Sequence, residues 1–434
     1  MQILIRNGNI VSQNKKREIF YKTDLLIERG KIKKIEKNIR GKFNKIINAD
    51  SKIILPGLIN THTHLAMTLL RGYADDLSLE DWWFKKIYPI EKKFKRETIY
   101  LGSLLGILEM IKSGTTFFVD FYYFEDEVAK AVKEAGLRAN LGIGILDFKT
   151  FAFKNTQEIF NQAEKLIKEN KNELIEFSLA PHMFQTTSIK TYEKAKELTR
   201  KYNLILQTHC TETEQEVKYC LKKYQKRPLE ILAQKKILDE KTILAHCCHL
   251  NKKEIKILAK NKVKVSHCPI SNLKLISGIM PLKEMLKKKI TIGLGTDSPC
   301  SNNSLDLFSE MKICALIHKI ASQDPKIASA QEVLDLATIK AAEAVDKEKE
   351  IGSLEVGKKA DLITLNFNQA HLQPCFNIVS HLVYSAKGSD VETLIVNGKI
   401  IMENRKFLTL DEEKIIFEAN KQVNKIIKGR KLNR

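Results

Sequence analysis

The sequence predicts an α/β protein: a (β/α)8 TIM-type barrel carrying a small β-sandwich-like domain formed by both chain termini. Three observations predict it. Eight short apolar, β-branched runs alternate with helically periodic segments between residues 53 and 297. Histidine or aspartate closes most of those runs. The two flanks of the chain also resemble each other, with IRNGNIV at 5–11 and IVNGKII at 395–401.

Taken in order, the N-terminal flank reads as strands, through IRNGNIV and TDLLIERGKIKKIEK (23–37). Asn-Gly between β-favouring residues signals a hairpin in each flank. The eight runs are IILPGLIN (53–60), TTFFVD (115–120), RANLGIGI (138–145), FSLAPH (177–182), NLILQTHC (203–210), TILAHC (242–247), VKVSHC (263–268) and ITIGLGTD (290–297). Continuous apolar runs of this kind suit parallel strands buried on both faces. GSLLGILEMIKSG, ended by Gly114, TYEKAKELTRKYN and KKEIKILAKN are helices between them. KKADLITLNF (358–367) returns to strand. In the last segment Thr409 and Glu412 form a capping box, and Ile416, Ala419, Val423 and Ile426 follow at helical spacing. The expected division is 1–54 and 351–408 for the small domain, 55–350 for the barrel and 409–434 for a packing helix.

Bulk composition excludes several functions. Of 434 residues 43% are apolar, and no stretch is long enough to span a bilayer. The N-terminus lacks a signal-peptide pattern, so a soluble cytoplasmic protein without membrane partners is expected. Eight scattered cysteines, none in a Cys-x-x-Cys pair, indicate neither a disulfide framework nor a zinc ribbon. The net charge of +21 is spread along the chain and mixed with Glu. With no stacking or groove-reading motif beside it, nucleic acid is not an expected partner.

The chemistry lies at the run ends. His62 and His64 follow the first run, His182 ends the fourth, His209 the fifth, His246 the sixth, His267 the seventh and Asp297 the eighth. In a parallel barrel those ends open on one face. Residues i and i+2 of a strand point the same way, so His62 and His64 can present imidazoles to one ion. With His209 and Asp297 they make three nitrogen ligands and one oxygen ligand, a set for one divalent metal ion, zinc first and iron(II) second. Such an ion lowers the pKa of a coordinated water. Glu212, three residues after His209, and His246 with Asp297 are the proton carriers.

PGLINTHTHLAMTLLRG, HCTE, LAHCCHL, SHCPISNLKL and GTDSPCSNN together resemble the amidohydrolase superfamily. The resemblance is to its mononuclear branch, and most closely to the deaminases of 5′-methylthioadenosine, S-adenosylhomocysteine and 5′-deoxyadenosine. It covers nearly the whole chain. It implies the barrel, a β-domain from both termini, a purine nucleoside substrate and a homo-oligomer. It gives the metal-ligand role to His62, His64, His209 and Asp297, protonation of adenine N1 to Glu212, and the proton shuttle to His246. His182 is implied to contact the purine, Glu91 to grip the ribose hydroxyls and Trp82 to line the pocket. Guanine deaminases and triazine chlorohydrolases share the metal site and form the alternative. Two departures stand out. Where some relatives carry an arginine after the third strand, this chain has Ile143 and Gly144, with Lys149 and Lys154 beyond. After His182 it reads MFQTTS. Both departures bear on the 5′ side of the pocket, and Ile143 with Gly144 implies weak binding of an amino-acid tail there.

Overall fold

A computed structural model of the chain describes residues 2–427. In chain order, β1 (Gln2–Val11), β2 (Ile19–Glu28), β3 (Lys31–Glu36), β4 (Lys45–Asn48) and β5 (Lys52–Pro56) come first. Next are β6 (Leu58–Thr63), β7 (Thr115–Tyr122), β8 (Arg138–Ile145), β9 (Ile175–Pro181), β10 (Leu206–Cys210), β11 (Thr242–His246), β12 (Lys264–His267) and β13 (Ile292–Leu294). The last are β14 (Leu362–Asn366), β15 (Val391–Val396), β16 (Lys399–Glu403) and β17 (Lys406–Phe407).

Strands β6 to β13 form one sheet in sequential order, and each neighbouring pair runs parallel. A parallel bridge between Thr63 and Asp297 brings its two edges together, as the expected (β/α)8 barrel requires. Leu, Ile, Val and Phe side chains bury both strand faces, as between β7 and β8. The other nine strands form a second sheet, in which β5 pairs antiparallel with β14 and so stitches the two termini together. Arg138 of the barrel meets Asp361 of this sheet in a buried ion pair at 2.5 Å. No described helix is long and apolar enough to cross a membrane.

Four local expectations change. The run 53–60 is two strands in different sheets, broken at Pro56-Gly57. A side chain at Gly57 would sit 2.1 Å from the Thr116 hydroxyl, so only glycine lets the chain pass from one sheet to the other there. Asn397-Gly398 makes the expected hairpin between β15 and β16, both residues having positive φ. Asn7-Gly8 does not. Asn7, at φ 60°, makes a bulge inside the continuous strand β1, and its N–H donates to Asp24. The last helix (Glu412–Ile426) is capped by Asp411, which accepts from the Lys414 N–H, while Thr409 instead donates to Ala135 O. Its buried face begins at Ile415, not Ile416. Residues 428–434, the end of that expected segment, lie outside the described residues.

Candidate active site

The barrel brings the predicted residues to one end. His62 and His64 stand at alternate positions at the end of β6, His209 in β10, His246 at the end of β11, and Asp297 three residues past β13. Asp297 is docked on β6 by its own N–H, which donates to His62 O at 2.9 Å. Both His246 and Asp297 adopt left-handed backbone, with φ 71° and 59°. That conformation is costly for residues with a side chain and is held by the surrounding bonds.

Hydrogen bonds decide which nitrogen of each ring is free. His64 Nδ1 lies 2.5 Å from Phe121 O, and His209 Nδ1 lies 3.0 Å from His182 O. A carbonyl only accepts, so both Nδ1 atoms carry hydrogen, and in the neutral rings that a metal ion binds both Nε2 atoms carry lone pairs. Those two Nε2 atoms face each other at 3.3 Å. His62 Nε2 is buried without a hydrogen-bond partner. Asp297 Oδ1 lies 3.7 Å from it and 3.2 Å from His64 Nε2. Lone pairs and a carboxylate oxygen gathered this closely repel unless a cation lies among them. The donor set therefore fits a divalent metal ion. His62, His64 and Asp297 have ligand atoms within 4.8 Å of one another, and so do His62, His209 and His246.

Electrostatics follow from burial. Burial pushes His62 well below the usual histidine range, and pushes His182 down to about 3. For Asp297 burial acts upward, but the imidazoles around it, His64 first, hold its carboxyl well below the usual range. Glu212 goes the other way: burial raises its pKa, with Asp297 adding to the effect and His246 opposing it. A carboxyl raised in this way keeps a proton to higher pH than an exposed one does.

Glu212 Oε1 accepts from Ser277 Oγ at 2.9 Å, and its Oε2 lies 3.6 Å from His246 Nε2. His182 Nδ1 meets Thr186 Oγ1 at 2.9 Å, and Thr187 Oγ1 accepts from the His182 N–H, so the MFQTTS stretch holds this ring in place. Glu91 is only 3% exposed, in a segment whose charges would suit a solvated helix face. The Tyr122 hydroxyl donates to it, and burial raises its pKa.

One cavity joins these groups, about 730 Å³ including its mouth. Of the nine residues singled out in the sequence, all but His62 line it; His62 sits behind the wall. Trp82 is buried and lines it, yet Trp83 lines it too and lies 5.1 Å, centroid to centroid, from the His182 ring. Phe121, stacked on His209 at 4.8 Å, and Tyr122 were missed in the sequence because both read as ordinary strand apolars. Gly144 lines the cavity, whereas Lys149 and Lys154 do not. Asn302 Nδ2 donates to Thr296 O, bracing the loop that carries Asp297. His267 is buried on the other side of its strand end, bonded to His318 at 2.8 Å and away from the cavity.

Residues 53–401 match the amidohydrolase family. The 5-methylthioadenosine/S-adenosylhomocysteine deaminase of Dictyoglomus turgidum is 44% identical over 99% of this chain and 100% of its own. The 5′-deoxyadenosine deaminase of Methanosarcina acetivorans is 41% identical over 98% of each. Among solved structures, an adenosine deaminase from Xanthomonas campestris with bound zinc superposes with a TM-score of 0.96 at 32% identity, covering 98% of both chains. Identity of this extent, spread from end to end, makes the chain a member of the amidohydrolase family, within its 5′-methylthioadenosine/S-adenosylhomocysteine and 5′-deoxyadenosine deaminase branch.

Proposed function

We propose that this protein is a metal-dependent hydrolase that converts the adenine of 5′-modified adenosines to hypoxanthine and releases ammonia. The observation that carries the reading is the pairing of a donor cluster suited to a cation (two Nε2 atoms 3.3 Å apart) with the buried carboxyl of Glu212 on the same cavity wall. His62, His64, His209 and Asp297 hold the ion, which we assign as zinc from its imidazole and carboxylate donors. Its chemistry is to acidify the attacking water.

The protein's own groups move the protons. Glu212 gives its proton to adenine N1, which makes C6 electrophilic. His246 and Asp297 take one proton from the water as its oxygen bonds to C6. The proton taken from the water then passes to the amino group, which leaves as ammonia. Loss of the remaining hydroxyl proton to Glu212 leaves the C6 carbonyl and restores the acid. His182, kept neutral by burial and oriented by Thr186, offers its Nε2 to the purine. Glu91 grips the ribose hydroxyls, with Trp82 and Trp83 shaping the wall.

The cavity also favours a substituent class. Three carboxyl groups line it among the described residues, and no lysine or arginine does. An amino-acid tail would bring a carboxylate with no cationic partner. A methylthio or deoxy 5′ end needs no such partner and suits a wall to which Leu146, Met183 and Tyr123 contribute uncharged side chains. A panel of adenosine, 5′-deoxyadenosine, 5′-methylthioadenosine and S-adenosylhomocysteine, followed by ammonia release, tests both points. Ammonia from the first three and little from the last is expected. No release from any of them overturns the function, and a preference for S-adenosylhomocysteine overturns the specificity.

A further inference from the structure

The three groups given proton-moving roles above are all held by one short piece of chain. Ser271 Oγ donates to Asp297 Oδ2 at 2.5 Å, Asn272 Oδ1 lies 2.8 Å from His246 Nδ1, and Ser277 Oγ donates to Glu212 Oε1 at 2.9 Å. The three side chains are at most 2% exposed. The piece is itself pinned. The Asn272 N–H donates to Cys268 O, the Ser277 N–H to Asn272 O, and the Ile270 N–H to the buried Glu310 carboxyl.

We propose that residues 271–277 act as a brace that sets where protons reside in this site, with Asn272 as the positioning residue that keeps hydrogen on His246 Nδ1 and leaves Nε2 bare. The chemistry is that of complementary donors and acceptors. An amide oxygen only accepts, so the ring nitrogen facing it must donate. His246 Nε2 then points its lone pair into the cavity, 3.6 Å from Glu212 Oε2. Ser277 does the matching work on the acid. By donating to Oε1 it leaves Oε2 as the oxygen that carries the proton. Ser271 occupies Asp297 Oδ2 and leaves Oδ1 toward the imidazoles. One acceptor and one donor are thus prepared side by side by a single turn.

A purely structural asparagine in this position would be expected to use its amide nitrogen as well. Asn272 Nδ2 is buried with no partner, so the bond to His246 is the only one this side chain makes among the described residues. The inference rests on the reading of His246 as the acceptor in the proposed reaction.

The test uses the full-length, metal-loaded protein labelled with 15N-histidine, His246 being assigned by comparison with His246→Gln. Expected in the wild type is a His246 protonated on Nδ1 and bare on Nε2. Asn272→Leu keeps the shape and removes the acceptor. It should lose that signature and lower kcat about 100-fold, with KM and bound metal unchanged. Asn272→Asp, which returns an acceptor oxygen, should restore the Nδ1–H signature. A wild-type His246 protonated on Nε2, an unchanged tautomer and kcat in Asn272→Leu, or loss of metal together with activity would each overturn the brace. If the wild type releases no ammonia from any adenosine, the proposed function falls, while the tautomer in wild type and Asn272→Leu still decides this inference.

Discussion

Two parts of the cavity are built on opposite principles. Around the candidate metal cluster each histidine and carboxyl group but His62 has one atom fixed by a dedicated partner. Phe121 O, His182 O, Asn272, Ser271 and Ser277 each fix one atom of a histidine or carboxyl group. Elsewhere on the same wall the apolar side chains of Leu79, Leu146 and Met183 supply shape and little else. The difference shows that chemistry and selectivity are separable here. The metal cluster requires specific donors at fixed distances, because proton transfer fails when a proton is on the wrong atom. The apolar wall is expected to select by what it lacks, since a charged tail without a counter-ion keeps its desolvation cost.

The sharpest way to break this division is to attack the metal cluster. Chelation, or Asp297→Asn, should lower kcat/KM about 10⁴-fold for every substrate alike, with metal analysis reporting the loss. If only some substrates suffer, the two parts are not separable. Glu212→Gln should lower kcat about 10³-fold while metal content stays intact, because the amide cannot deliver a proton. Glu91→Gln should cost roughly 10- to 100-fold in kcat/KM for nucleosides, the size of a charged hydrogen bond or two, and leave free adenine untouched. Equal damage to both would remove Glu91 from ribose binding. The smallest effect belongs to the apolar wall. Met183→Arg places a cation on it and should raise S-adenosylhomocysteine turnover relative to 5′-methylthioadenosine about tenfold, with adenosine turnover little changed.

Much of the site was legible because a parallel barrel places each contributing strand end next to its own reactive residue. His62, His182, His209, His246 and Asp297 are each readable from the few residues before them. What escaped depends on partners distant in the chain. Ser277 meets Glu212 across 65 positions, and Asn272 meets His246 across 26. Nothing near either residue announces the contact. Trp83 and Trp82 are adjacent aromatics, and local pattern does not say that both reach the cavity. The two Asn-Gly pairs make the same point. At 397–398 the strand had a partner to fold back on, and at 7–8 Asp24 and β2 keep the strand continuous through a bulge. Thr409 likewise found Ala135 O rather than its own helix.

The sequence by itself determined the alternation of strand and helix and the order in which the candidate metal-ligating histidines and aspartate follow one another. Local periodicity and residue chemistry suffice for these, since neither depends on what lies across the molecule. The tertiary structure alone decided that β5 leaves the barrel for the second sheet, that Glu91 is buried rather than solvated, and which nitrogen of each histidine is free. Those outcomes follow from hydrogen bonds and burial between segments far apart in the chain, and such contacts have no energy until the fold brings their partners within reach.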